Sequence, residues 1–352
     1  MIAFGYFRSF LKRISANYIN LNKQLSIQDN HENTYPMSPY PYGWYAVCLS
    51  DELSQTRPKP LSFFGKEFVA LRDNNNKPHI FDAYCPHMGA HLGYRGIAYD
   101  GKLSCPLHGW TFDSNGLCVN APFAKKTPCY TASRLKSYET IELLGVIFIW
   151  FHVDNTKPLF MLPGFDESDK KSWTKSKSFS MSFRSHVQEI RENFCDETHF
   201  HFVHRQQKPA FINFEATGPV ATVRSSLEGL TELTLKNYPS VETEATMYGP
   251  GIMAVRTNGF VTATSIALTT PINQNFVQFR LLTFGKKSNY FPGLGNIFRF
   301  LQDFYAFNDL LLEGSVWNHK IYKQRPLLQQ NERTIPKFRA WYKQFYETKI
   351  DE

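Results

Sequence analysis

Two short loops, CPHMG at residues 85–89 and CPLHG at 105–109, constrain this chain more than any other stretch. Each offers one cysteine and one histidine: Cys85 and His87 in the first, Cys105 and His108 in the second, with seventeen residues between His87 and Cys105. Gly89, Gly93, Gly96 and Gly109 allow the tight turns that bring both loops to one centre. Turns of that kind belong between short strands. The flanking runs WYAVCLS, FFGKEFVALRD, HIFDAY and GVIFIWFH are rich in β-branched and aromatic residues, and NNNKP and DSNG separate them. No amphipathic helix pattern interrupts them, so residues 43–155 are expected to form an all-β domain.

Two cysteines and two histidines also suit tetrahedral zinc. Zinc fingers, however, usually group their cysteines together and their histidines together, whereas each loop here supplies one of each. That arrangement fits a [2Fe–2S] cluster with two thiolates on one iron and two imidazoles on the other. Neutral imidazoles leave the cluster less negative and raise its potential. Six cysteines spread over 352 residues do not make a disulfide scaffold, which points to a reducing compartment.

A second cluster of polar side chains lies in ENFCDETHFHFVH, residues 192–204. Non-haem iron sites use two histidines and one carboxylate and leave positions open. Asn193, Asp196 and His199 recur every three residues, so a helix would put them on one side. His204 follows His199 by five, about 140° round a regular helix, so the helix must end or bulge within FHFV. Glu197, His201 and His204 form a rival set at helical spacing. Phe194, Phe200, Phe202 and Val203 would keep either site dry.

The strand-like runs PVATVRSS, LTELTLKNY, IMAVRT, FVTATSIAL and NFVQFRLLTF follow, then a long helical pattern over about 296–323 and another near 336–346. Strands followed by a long helix predict an α+β domain whose antiparallel sheet wraps that helix. The boundary is expected near 155–175, which divides the chain into 1–38, 39–155 and 156–352. The first 27 residues lack Asp and Glu, carry Arg8, Lys12, Arg13 and Lys23, and space Phe4, Phe7, Phe10, Leu11 and Ile14 helically. A membrane-surface helix, a transit peptide and a packed helix all remain open there. A cytoplasmic protein, with peripheral membrane association through this segment, is the expectation. The net charge of +8 comes from scattered Lys and Arg, with no run of five, which argues against nucleic acid. No apolar run reaches the ~18 residues of a membrane span. No G-x-G-x-x-G opens a helix after a strand, so no dinucleotide site is expected.

CPHMGAHLGYRG with CPLHGW resembles the Rieske domain. Respiratory Rieske proteins carry an extra cysteine in each loop; these loops have none and so resemble the oxygenase type. Asn193-x-x-Asp196-x-x-His199-x-x-x-x-His204 is similar to the catalytic motif of Rieske non-haem iron oxygenases. FDAYCPHMGAHLG, TTPIN, WNHKIYKQRPLL and FRAWYKQFY extend the likeness over about 40–346. It is strongest for the steroid-acting branch, the 3-ketosteroid 9α-hydroxylase oxygenases and cholesterol 7-desaturases. The resemblance implies an all-β Rieske domain and a helix-grip catalytic domain. It implies a [2Fe–2S] cluster on Cys85, His87, Cys105 and His108, and a mononuclear Fe(II) on His199 and His204. Asp196 would accept a hydrogen bond from His199 and reach His108 of the partner subunit in a head-to-tail homotrimer. Asn193 would sit near the iron without binding it. Electrons would come from a separate NAD(P)H-dependent reductase or ferredoxin, and O₂ would hydroxylate or desaturate an apolar, steroid-like substrate. Other branches take small aromatic acids or quaternary amines. A Rieske electron carrier without oxygenase activity, and a zinc-bound structural module, are the readings from other classes.

The family's third iron ligand is an Asp four residues before the Trp of D-x-x-I-W-x-x-K. Here that position is Glu313, four before Trp317. The extra methylene fits if the helix backs away, with Gly314 giving slack, or if both oxygens bind. Asp309, one helical turn earlier on the same side, is the competitor.

Overall fold

The computed structural model describes residues 35–124, 133–204, 211–227, 241–258, 262–291, 293–330 and 332–346. The basic N-terminal pattern, Cys129 and the LTELTLKNY run lie outside these residues. No described helix is long and apolar enough to cross a membrane.

The N-terminal half contains three small antiparallel sheets and, among the described residues, no α-helix. One sheet pairs Gly43–Leu49 and Thr140–Leu143 with a central Val146–Phe151, whose six residues are all buried. Alternate residues of a strand point to opposite faces, so full burial means cover on both sides. Val146, Phe148 and Trp150 join a core with Ile252, Ile266 and Leu282, while Ile147, Ile149 and Phe151 join another with Met181, Phe279 and Phe338. Both cores include residues of the C-terminal half. This sheet therefore ties the halves together, which is why GVIFIWFH reads as an unbroken apolar run.

A second sheet holds Lys59–Phe63, Lys66–Arg72, Pro78–Asp82 and Ser137–Tyr138. The third holds Ile97–Tyr99, Lys102–Ser104, Thr111–Phe112 and Cys118–Asn120. It carries the 105–109 loop, above a small core of Leu92, Leu103, Phe112 and Leu135.

The C-terminal half is a seven-stranded antiparallel sheet. Phe211–Thr217, Val220–Leu227, Val241–Tyr248, Ile252–Asn258, Ala263–Pro271 and Phe276–Gly285 run as a meander, and Lys177–Arg184 pairs with the last of them. Helix α1 (Val187–Glu192) and helix α2 (His199–Phe202) carry the histidine motif. The long helix α3 (Leu294–Trp317) lies on the last two strands of the meander, and α4 (Thr334–Tyr342) follows.

Three helix expectations are corrected. The 192–204 motif is not one helix that fails within FHFV. The chain leaves α1 through a tight turn at Asn193–Cys195, becomes extended at Asp196, and restarts at His199. The long helix stops at Trp317 rather than 323, because the Asn318 side chain accepts the Arg184 N–H at 2.8 Å and fixes its end to the sheet. Gly314 does not let the helix back away. A Cβ there would fall 2.3 Å from the Phe183 ring, so glycine allows a close approach to the sheet.

Helix α1 is wholly buried although four of its six residues are polar. His186 caps it: Nδ1 accepts the Gln188 N–H at 3.1 Å and Nε2 donates to the Ser38 carbonyl at 3.1 Å. Burial pushes the His186 pKa down to about 4, so the ring stays neutral. Arg191 donates to the carbonyls of Pro250, Gly251 and Ala267. Glu192 takes a two-pronged contact from Arg339 at 2.7 Å, and Glu189 pairs with Lys320 at 2.9 Å. Loss of Arg339 or Lys320 would leave the buried Glu192 or Glu189 carboxylate without its partner. The segment that carries the histidines is thus pinned to the sheet, to α4 and to the chain after α3.

Candidate metal centres

The two N-terminal loops are the same turn used twice. The Cys85 N–H donates to Ala90 and the Gly89 N–H returns to Cys85; the Cys105 N–H donates to Trp110 and the Gly109 N–H returns to Cys105. Gly89 and Gly109 both adopt left-handed backbone, φ 72° and 70°, which a side chain would strain. The shared frame is C-P-x-x-G-x, with histidine third in one copy and fourth in the other. Cys85 and Cys105 are buried, whereas His87 and His108 face outward with ring centroids 4.7 Å apart. Trp110 stacks on His87 at 4.5 Å.

Burial, followed by the neighbouring Cys105 thiol, pushes the Cys85 thiol up to about 11 despite backbone bonds from His87 and Met88. A thiol that resists ionisation alone suits cationic iron, which would stabilise its thiolate. Among the described residues, the only set of three or more donors that converges within 4.8 Å is elsewhere. Thiols on one side and imidazoles on the other suit a binuclear cluster.

That converging set is His199, His204 and Glu313. His199 stands at the start of α2, His204 just beyond its end, and Glu313 on α3. The Nε2 atoms of both rings face one carboxylate oxygen, Glu313 Oε1, at 3.4 Å and 2.7 Å. Both Nδ1 atoms are engaged behind: His199 with the Asp196 main-chain carbonyl at 2.8 Å, His204 with Asp309 Oδ1 at 3.3 Å. Such outer partners fix ring orientation and leave the Nε2 lone pair for a metal. Glu313 Oε2 accepts from Asn193 Nδ2 at 2.5 Å, so one oxygen alone is left toward the centre.

The electrostatics describe a site made for a cation. Burial alone would raise the Glu313 carboxyl and disfavour a charged His204. Hydrogen bonds win in both: those from His199 and His204 bring Glu313 down to about 2, and those to Asp309 and Glu313 lift His204 to about 10. A proton is held where a divalent ion would balance the carboxylate. Two imidazoles and one carboxylate, with the rest of the sphere open, suit Fe(II).

Several sequence expectations meet different geometry. Asp309 does not converge on the centre; it is half exposed and sits behind His204. Glu197 does not join His201 and His204, because its Oε1 accepts from Thr334 at 2.6 Å on the other side of the segment. Asp196 meets His199 through its carbonyl rather than its carboxylate, whose Oδ1 instead accepts the Thr198 and His199 N–H groups. The Asn193–Glu313 clamp was not foreseen, and no local pattern links residues 120 apart. The shared C-P-x-x-G-x frame was visible in the sequence. A cavity of about 310 Å³ lined by Lys77, His79, Lys136, Tyr138 and His152 opens on the N-terminal half and shares no residue with either centre.

Residues 43–137 match the family model of the Rieske [2Fe-2S] domain, and residues 149–346 match that of the 3-ketosteroid 9alpha-hydroxylase C-terminal domain. The chain is 30% identical over 332 residues to a cholesterol 7-desaturase of Ciona intestinalis, covering 87% of this chain and 69% of that one. It is 27% identical over 344 residues to the oxygenase component of a 3-ketosteroid-9-alpha-monooxygenase of Rhodococcus rhodochrous, covering 92% and 88%. Dicamba monooxygenase bound to dicamba shares the fold with a TM-score of 0.69 at 16% identity, over 88% of this chain and 98% of that one.

Proposed function

The chain belongs to the Rieske non-haem iron oxygenases, with the 3-ketosteroid 9α-hydroxylase oxygenases and cholesterol 7-desaturases, and from that premise we propose that it oxidises a steroid or sterol. It is the oxygenase component of a Rieske system, with a [2Fe–2S] cluster and a mononuclear iron, and it takes electrons from a separate reductase or ferredoxin. The carrying observation is that the 3-ketosteroid hydroxylase model spans 149–346, the half that gathers His199, His204 and Glu313. Residues 39–155 are assigned to the cluster and 156–352 to oxidation.

In this reading Cys85, His87, Cys105 and His108 hold the cluster, and His199, His204 and Glu313 hold the iron. The bound metals supply one-electron transfer and O₂ activation. The protein's own residues do the rest. Asp196 and Asp309 orient the two imidazoles, and Asn193 keeps one Glu313 oxygen off the metal, which leaves room for oxygen and substrate. Phe183, Phe279 and Trp317 pack behind the helix that bears Glu313 and fix its position against the sheet. Within one chain, no hydrogen bond or ion pair among the described residues joins the two centres. His87 and His108 face outward beside Met88, 67% exposed, and Leu107, 55% exposed. This outward edge supports a head-to-tail homotrimer in which the cluster of one copy serves the iron of the next.

The test is product analysis of reconstituted enzyme with a panel of sterols, 3-ketosteroids, aromatic acids and quaternary amines. A hydroxylated or desaturated steroid is expected. Turnover of a small charged substrate, with no steroid oxidised, would overturn the assignment.

A further inference from the structure

Away from both centres, one surface combines two features that rarely meet by chance. Tyr290 and Phe291, 89% and 68% exposed, stand at the tip of the turn between the strand Phe276–Gly285 and α3. Ile297 and Phe300 continue the apolar surface along the first turns of α3. Hydrogen bonds hold the turn's described residues: Ser288 Oγ accepts the N–H groups of Tyr290 at 3.2 Å and Phe291 at 3.3 Å, and the Leu294 N–H donates to Phe291 at 3.2 Å. These bonds fix the main chain that carries the two exposed rings.

A basic rim adjoins them. The Lys287 N–H donates to Ser172 at 2.8 Å, its Nζ donates to the Lys170 carbonyl at 2.7 Å, and Lys286 bridges to Trp173. These contacts bring exposed Lys170, Lys171 and Lys175 beside exposed Lys286 and Lys287. The exposed acids of the same strap are Asp166 and Asp169, and Asp169 spends both oxygens on Lys171 N–H and Ser172 Oγ. Arg299 and Asp303 neutralise each other at 2.8 Å. The rim is thus net cationic.

Single exposed apolar residues are ordinary, but a contiguous aromatic and aliphatic patch marks a contact surface. Lysine is depleted from protein–protein interfaces, which counts against a protein occupant. Outward aromatic rings edged by lysines are instead the composition of segments that rest in a bilayer interface and are drawn to anionic headgroups. We propose that Tyr290, Phe291, Ile297 and Phe300, with the lysines around them, dock the enzyme on an anionic lipid surface. This deepens the steroid reading, since such substrates partition into lipid, but it stands on the patch alone.

The test uses the full chain and vesicles of phosphatidylcholine with or without about 30% phosphatidylserine. Cosedimentation with the anionic vesicles is expected, weakening as salt rises. Two variants, Tyr290→Ser with Phe291→Ser and Lys170→Glu with Lys171→Glu and Lys286→Glu, should each lower partitioning by about tenfold or more. Cluster absorbance equal to wild type shows that they fold. A third variant, Arg8→Glu with Lys12→Glu and Arg13→Glu, should leave binding that still depends on the patch. The proposal is overturned if wild type ignores anionic vesicles, if the patch variants bind like wild type, or if they break up an oligomer in sedimentation velocity. Turnover is not the readout, so failure here leaves the product panel free to succeed.

Discussion

At the cluster site the thiols are buried and the imidazoles face outward; at the mononuclear site both imidazoles and the carboxylate are drawn inward. The cluster donors come from one turn repeated within residues 85–109 and need little from the rest of the chain. The mononuclear donors come from residues 199–204 and 313 and depend on where α3 lies against the sheet. The difference follows from what each site must meet. A site that passes electrons to another molecule has to present its edge, whereas one that activates oxygen has to limit water. Asp196 lies between these demands. Its carbonyl and Oδ1 serve the histidine segment, and its other oxygen takes part in none of those bonds.

Asp196→Asn breaks the comparison most sharply. Asparagine keeps the main-chain carbonyl and an Oδ1 acceptor, so both metals should stay bound and the cluster should still reduce. Product formation should fall about a hundredfold, on the proposal that the Asp196 carboxylate carries electrons from the cluster of a neighbouring copy. Stopped-flow reduction alongside product yield checks this, and near-normal turnover would remove Asp196 from the electron path.

Asn193→Ala sharpens the inward half of the comparison. Freed from Asn193, Glu313 Oε2 can turn toward the metal, and iron affinity should change by about tenfold while the cluster spectrum stays the same. Competition with a chelator measures it. An unchanged affinity would mean that the clamp has no effect on the ligand.

The smallest effect concerns the support beneath the motif. Folded His186 stays neutral down to about pH 4, whereas the unfolded residue takes up a proton near 6.5. In that window the unfolded chain binds more protons, so the contribution is whole above about 6.5 and drains as pH falls toward 4. At most it amounts to about 3 kcal/mol. His186→Asn keeps a capping oxygen and should flatten this limb of the denaturation profile. An unchanged acid limb would place the sensitivity elsewhere.

Much of this was legible in the sequence for a physical reason. The cluster loops, the all-β half, the strand-rich half and the histidine spacing are local patterns, and local geometry follows from them. Glu313 came into view only through the resemblance, as the residue at the family's Asp position four before Trp317, with Asp309 its competitor. The break at Asp196 was not legible, since α1 already ends at Glu192 and the Asp196 carboxylate bonds the Thr198 and His199 N–H groups that open the next helix. The burial of GVIFIWFH between two cores, the close packing at Gly314 and the Asn193 clamp all depend on elements far apart in the chain.

On this proposal two metal sites of different build coexist, and Glu313 belongs to the inner one. Iron and acid-labile sulfide, measured per chain in wild type, Glu313→Ala and Asp309→Ala, test it most directly. Wild type should carry about three irons and two sulfides, Glu313→Ala about two and two, and Asp309→Ala should keep most of its third iron. A Glu313→Ala protein that retains the third iron, or an Asp309→Ala protein that alone loses it, would contradict the assignment.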